Sequence, residues 1–270
     1  MSNMKISNLT KEMLSRMFAE GKRFDGRGLL DFREISIEYG VSNKAEGSAR
    51  VKLGKTDVVV GVKMELGTPY PDSPDKGNLM FSGDLLPLAS PRFESGPPKF
   101  NAIELSRLVD RAIRESGVIE LEKLCVTEGE KVWTVIFDIY PINDDGALID
   151  AATIAAMAAL RNAVFPEIKD DKVDYENKTD KKLPLTDAFP MSFTFYKLGN
   201  SIILDPTREE EEACDAKIAF GISLWKGQHM ISSCQKGMEI SFTYDEIKKI
   251  MEIISKKYDE ILKKVKKYIN

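Results

Sequence analysis

Three arginines with helical spacing are the side chains in this sequence best suited to bind phosphate groups. Arg107, Arg111 and Arg114 lie at i, i+4 and i+7, so a helix would place them on one face. A row of guanidinium groups can bind phosphate oxygens, but it can also remain solvated or pair with acidic neighbours such as Asp110. The spacing therefore predicts a basic helix face and leaves its use open.

Acidic residues are concentrated at Asp144, Asp145 and Asp150. Carboxylates can bind metal ions, but these aspartates surround Gly146, and we predict that they form a turn and a helix N-cap. His229 is the sole histidine, and Cys125, Cys214 and Cys234 have no metal-ligand spacing. We expect no metal site and no cofactor.

The overall charge does not predict nucleic-acid binding. The 270 residues include 39 Lys and Arg against 43 Asp and Glu, which gives a net charge of -4. RNA or DNA binding would require a local basic face or basic groups from a partner. No apolar run approaches the roughly 20 residues that span a bilayer. We therefore expect a soluble, cytoplasmic protein.

The hydrophobic pattern indicates strands followed by a helix, twice. It predicts helices over residues 7–21, 101–115, 147–164 and 244–268, and its clearest strand over 131–142. The alanines of the third helix would permit close packing on a sheet. Residues 209–212 are expected to be a solvated loop, and Gly47 and Gly54 are expected to be turn glycines. The predicted fold class is α+β, with helices packed on sheets. We divide the chain into an N-terminal helix and arm (1–30), two β-α sub-domains (31–165 and 190–270) and a connector (166–189).

Five segments in register resemble the RNase PH family, and most closely its non-catalytic branch in the archaeal exosome. The resemblance covers residues 23 to 255. It is carried by Arg23-Phe24-Asp25-Gly26-Arg27, by Ala45-Glu46-Gly47-Ser48-Ala49 with Lys52-Leu53-Gly54-Lys55-Thr56, by Leu85-Leu86-Pro87-Leu88-Ala89-Ser90-Pro91 with Gly96-Pro97-Pro98, by residues 102–111, and by residues 144–152.

The resemblance implies an RNase PH-like fold of two β-α sub-domains with mixed sheets, assembled six to a ring. It implies a catalytic RNase PH-like partner in three heterodimers, RNA-binding cap subunits, and a role in 3′-to-5′ phosphorolytic RNA degradation. The basic face of Arg107, Arg111 and Arg114 would then bind RNA. The exposed segment 85–91 would contact the partner.

The catalytic equipment that the resemblance implies is missing at three places. Asn101 replaces an arginine that would bind phosphate, and Ala147 follows Asp144-Asp145-Gly146 where a hydroxyl residue is expected. Asp145 would repel an anion there. Leu183 and Phe189 stand where two carboxylates belong, although Asp187 would serve in a shifted alignment. We therefore predict a non-catalytic subunit; the alternative is a self-sufficient phosphorolytic exoribonuclease.

Overall fold

The computed structural model of the protein describes residues 6–169 and 172–268. A short helix precedes a first sheet with two helices, a two-stranded hairpin follows, and a second sheet with two helices completes the chain. The helices are α1 (Asn8–Ala19), α2 (Phe100–Arg114), α3 (Leu148–Asn162), α4 (Arg208–Ala213) and α5 (Tyr244–Lys266). The strands are β1 (Ile35–Tyr39), β2 (Gly47–Leu53), β3 (Thr56–Gly67), β4 (Asn78–Gly83), β5 (Cys125–Thr127), β6 (Lys131–Asn143), β7 (Val164–Lys169), β8 (Lys172–Lys182), β9 (Met191–Leu198), β10 (Ser201–Leu204), β11 (Ala216–Trp225) and β12 (Gln228–Gly237).

The α+β prediction is confirmed, and two helices form a layer between the two sheets. The first sheet has the order β1-β2-β3-β6-β4, with β4 parallel to β6, and the second has the antiparallel order β10-β9-β11-β12. Helix α3 contacts β2 and β3 on one side and β9 on the other, while α2 contacts β4 and β11. One continuous apolar core therefore joins both sheets.

Small side chains allow α3 to lie close to both sheets. Its residues from Ile149 to Leu160 are all buried, and half of them are alanines. An alanine-rich helix adds little side-chain bulk, so the strands can approach its backbone closely. The prediction that these alanines permit tight packing is confirmed.

Gly47 is not the turn glycine that we expected, whereas Gly54, with φ of 58°, is one. Gly47 begins β2 and faces the C-terminal end of α3. A Cβ atom there would lie 2.4 Å from the Ala159 carbonyl oxygen and 2.6 Å from Ala163 Cα. The close contact between strand and helix therefore requires glycine at this position.

We expect Gly47→Ala to lower the free energy of unfolding by about 1–3 kcal/mol, the usual cost of overpacking a core. Gly61→Ala is the matched control, because its Cβ would meet only Ala45 Cβ, at 3.5 Å. Urea unfolding of both variants measures the difference. Equal losses in the two variants would contradict the argument from close approach.

Two segments differ from the prediction or add to it. Residues 209–212, expected as a solvated loop, form most of α4, and Glu210 in this helix is buried. The segment predicted as a connector contains β8 and most of β7, which pair as a hairpin; the division into sub-domains stays a prediction. Among the described residues, no helix combines the length and the apolar character needed to cross a membrane.

Candidate functional site

The three arginines predicted to form a basic face lie on α2, but they do not have the same surroundings. Arg107 and Arg111 are exposed and make no ion pair with any residue that the structure describes. Arg114 Nε donates to Asp110 Oδ1 at 2.8 Å, and its Nη2 donates to the Leu79 carbonyl of β4 at 3.1 Å. Arg107 and Arg111 are therefore free to bind a ligand, while Arg114 anchors α2 to the edge of the first sheet.

Arg107 also lines a groove beside β4. The groove has a volume of about 290 Å³ and is bordered by Ser82, Pro98 and Asp110. It lies between the helix and the loop that precedes it, so an extended chain on this surface would contact the guanidinium of Arg107.

A larger cavity, of about 500 Å³, lies between α2 and the second sheet and contains Asn101. Two of its cations, Lys217 and Arg92, are paired with carboxylates, and the exposed Lys236 donates to the backbone carbonyl of Glu239. Lys217 Nζ lies 2.7 Å from Glu104 Oε2, and Arg92 pairs with Asp144 at 2.6 Å. Cations that already have carboxylate partners offer little net attraction to an anion.

The N-terminus of α3 faces this cavity and is occupied by a carboxylate of the same chain. The backbone N–H of Ala147 donates to Glu211 Oε2 at 3.1 Å. Helix N-termini attract anions because their first N–H groups have no partner within the helix. Burial raises the pKa of Glu211, with a further contribution from Asp144, whereas Arg92 opposes the shift.

The sequence analysis does not identify Glu211, because the charge run of residues 209–212 predicts a solvated loop. A local signal was present, since Thr207 and Glu210 have the spacing of a capping box, and the structure contains both of its hydrogen bonds. That motif marks the start of α4, which carries Glu211 to the end of α3. Its target, 64 residues away, was not predictable from the motif.

Asp144 has the role expected of it in the acidic turn, whereas Asp145 and Asp150 do not. Asp144 accepts from the Gly146 N–H at 3.2 Å, so the turn chemistry is confirmed. Asp145, expected to repel anions, is paired with Arg33 at 3.2 Å. Asp150 is not an N-cap: it is fully buried and accepts from the Thr194 N–H at 3.1 Å and from the Thr194 hydroxyl at 2.7 Å.

The positions aligned with the missing carboxylates lie apart from the Asn101 cavity. Leu183 and Phe189 are buried in the core. Asp187, the alternative in a shifted alignment, is exposed and is not among the residues that line the cavity. The structure thus does not bring Asp187 together with Asn101 and the start of α3.

The arginines of the segment 23–27 anchor the fold. Arg23 donates from Nε to Glu210 Oε1 at 2.9 Å, and both side chains are almost fully buried. Arg27 and Arg33 donate to the carboxylate of Asp205 at distances down to 2.8 and 2.6 Å. This buried network ties the N-terminal segment to the start of α4, and through Arg33 to the turn before α3.

The comparisons with known proteins agree along nearly the whole chain. Residues 31–166 and 188–256 match the models of domains 1 and 2 of the 3′ exoribonuclease family, RNase PH. The chain is 44% identical to "Exosome complex component Rrp42" of Methanothermobacter thermautotrophicus, over 95% of this chain and 94% of that protein. The protein of the same name from Thermococcus kodakarensis is 42% identical over 100% of this chain and 99% of its own length.

Solved structures show the same relationship. A chain of the Archaeoglobus fulgidus exosome with RNA bound to the active site has a TM-score of 0.85 and 40% identity, and covers 94% of this chain and 98% of its own. Rice Rrp46, at 18% identity and a TM-score of 0.66, shares the fold. Two matched domain models and relatives above 40% identity establish that the chain belongs to the RNase PH family.

Proposed function

We propose that this protein is a non-catalytic subunit of an archaeal-type exosome and that it acts in the cytoplasm. It forms a ring of three heterodimers with a catalytic RNase PH-like partner, helps to structure the partner's active site, and supports RNA-binding cap subunits. It contributes Arg107 and Arg111, and to a lesser extent Arg114, to RNA binding during 3′-to-5′ phosphorolysis. The names of its relatives support the assembly.

The observation that carries the non-catalytic assignment is the contact between Glu211 and α3. In phosphorolysis, phosphate attacks the RNA, and cationic groups and N–H donors must hold its negative charge. Here a resident carboxylate accepts from the Ala147 N–H, and Asn101 contributes no charge. Free phosphate would have to displace Glu211 and would meet Asp144 nearby.

Phosphate-dependent degradation of end-labelled poly(A) RNA tests this assignment. The chain alone, supplied with phosphate and Mg²⁺, is expected to release no nucleoside diphosphate, whereas the complex with its catalytic partner releases it readily. Release by the isolated chain, after contaminating nuclease has been excluded, would instead support the alternative of a self-sufficient phosphorolytic exoribonuclease.

RNA affinity of the assembled complex is expected to depend on Arg107 and Arg111. Each contact with a phosphate of single-stranded RNA contributes about 0.7 to the slope of log K against log salt. The double variant Arg107→Ala/Arg111→Ala should reduce this slope by about 1.4 for each copy of the subunit that contacts the RNA. Fluorescence anisotropy at several salt concentrations measures the slope.

Arg114→Ala is the informative comparison, because Arg114 is held by Asp110 and the Leu79 carbonyl. It is expected to change the salt slope less than either of the other two substitutions. An unchanged slope in the double variant would show that Arg107 and Arg111 do not bind RNA phosphates.

The exposed segment 85–91 is proposed as part of the contact with the catalytic partner. Leu88 is 72% exposed and Leu86 is 43% exposed, whereas Ala89 and Ser90 are buried and fix the segment. Apolar side chains held outward by a buried base are suited to an interface, and an alternating ring requires two different contact surfaces on each subunit.

A further inference from the structure

A second cavity, of about 380 Å³, lies at the C-terminal end of α3. Helix α3 has 15 residues, so this cavity is about 20 Å from the helix end at Glu211, at 1.5 Å per residue. Its wall combines the ends of β1, α3, β8 and α5. The residues that line it include Tyr39, Arg161, Lys182, Leu183, Leu185 and Tyr268.

Two residues that line this cavity each have a side-chain polar atom that is buried without a hydrogen-bond partner among the residues that the structure describes. These atoms are the Tyr39 hydroxyl and Arg161 Nε. The charge of Arg161 opposes the rise that burial causes in the pKa of Tyr39, which indicates that the two groups are neighbours. Buried polar groups are rarely left unpaired in proteins, and a bound ligand is one way to satisfy them.

Arg161 is a cation without an ion pair in the described part of the chain. One guanidinium nitrogen, Nη2, donates to the Ala188 carbonyl at 3.0 Å. Burial lowers the pKa of Arg161, and the negative charge of Asp187 opposes this shift. Among the described residues, the lining of the cavity includes two cations, Arg161 and Lys182, and no carboxylate side chain. In this respect the cavity differs from the one at Asn101, where Lys217 and Arg92 have carboxylate partners.

We propose that this cavity binds a small phosphorylated ligand of mononucleotide size. A phosphate group would accept from the Arg161 guanidinium and from Lys182, and rotation of the Tyr39 and Arg161 side chains towards it would give the two unpaired atoms a partner. Leu183, Leu185 and the ring of Tyr268 supply apolar surface for a base. The volume lies in the range of small-molecule sites, which begins at roughly 300 Å³.

Titration calorimetry with four probes tests the assignment on the full-length protein, with its partner bound where they purify together. AMP is expected to bind saturably, and inorganic phosphate is expected to compete with it. Adenosine, which lacks the phosphate, and citrate, which offers carboxylates instead, are expected to bind at least tenfold more weakly. Absence of saturable AMP binding, or tighter binding of citrate than of AMP, would overturn the proposal.

Three substitutions locate the site. Arg161→Gln removes the charge and is expected to weaken AMP binding about tenfold or more, as loss of a charge-assisted hydrogen bond does. Arg16→Gln is the matched control, since Arg16 is exposed on α1, and it should leave the affinity unchanged. Lys182→Ala changes an exposed residue, which lets the fold persist, and is also expected to weaken binding.

Tyr39→Phe separates a binding role from a structural one. It removes a buried hydroxyl that has no partner in the free protein, so the unliganded melting temperature should stay the same or rise while AMP affinity falls. Because this variant keeps its fold, it tests the proposal even if Arg161→Gln does not fold. AMP affinity equal to that of the unaltered protein in both Tyr39→Phe and Lys182→Ala would overturn it.

Discussion

Asp205→Ala is expected to lower the free energy of unfolding by about 3–5 kcal/mol, the cost of breaking a buried ion pair by removing one partner. The Asp205 carboxylate is fully buried and accepts from Arg27 and Arg33, including the Arg33 backbone N–H at 2.6 Å. Both arginine side chains are at most 15% exposed. Without the Asp205 carboxylate, the guanidinium groups of Arg27 and Arg33 would stay largely buried and would lose the negative charge that they share.

The backbone at Asp205 adds to this expected loss. Its φ of 47° is in the left-handed region, which aspartate and asparagine tolerate better than alanine. Asp205→Asn keeps the shape and the backbone preference but removes the charge, so it should cost less than Asp205→Ala. The difference between the two variants therefore measures how much of the loss depends on the backbone and on side-chain hydrogen bonds.

Urea unfolding near neutral pH measures these losses, and Asp215→Ala is the matched control. Asp215 pairs with Lys11 at the surface, where the side chains are 30% and 40% exposed. Such pairs contribute about 0–1 kcal/mol. If Asp205→Ala cost no more than Asp215→Ala, the buried network would not anchor the N-terminal segment.

Asp150→Asn is expected to remove a pH dependence of stability worth up to about 4 kcal/mol. Burial raises the pKa of Asp150 from 3.8 to about 7, with Asp205 and Glu211 adding to the rise and the hydrogen bonds from Thr194 opposing it. The folded protein therefore keeps a proton on Asp150 at pH values where the unfolded chain has lost it. Stability is full below about pH 4, falls as the pH rises towards 7, and is constant above that.

Asparagine at position 150 would preserve both contacts to Thr194. Its carbonyl can accept from the Thr194 N–H, and its amide can donate to the Thr194 hydroxyl, yet it does not titrate. Relative to the unaltered protein, Asp150→Asn should thus become steadily more stable between about pH 4 and 7, by about 1.4 kcal/mol per pH unit.

Denaturant unfolding at several pH values checks this expectation. Asp72→Asn, a change of an exposed aspartate, controls for the removal of one carboxylate. A constant difference between Asp150→Asn and the unaltered protein across the whole pH range would show that Asp150 is ionised in the fold.

The sequence by itself determined the four longer helices and the family. The apolar periodicity of residues 101–115 and 244–268 predicted α2 and α5, and the alanines of 147–164 predicted a helix packed closely on a sheet, because these patterns express local preference and burial. The spacing of Arg107, Arg111 and Arg114 placed them on one helix face for the same reason. Their use for RNA remains a prediction.

The tertiary structure decided which of these side chains are available and which are already engaged. Arg114 contacts the Leu79 carbonyl, 35 residues away in the sequence. Glu211 contacts the start of α3 from α4, a helix that the charge run of residues 209–212 did not predict. Gly47 lies against Ala159 and Ala163, and Arg33 meets Asp205 across 172 residues. Local spacing carries no information on such pairings, because they depend on how the two sheets close around α2 and α3.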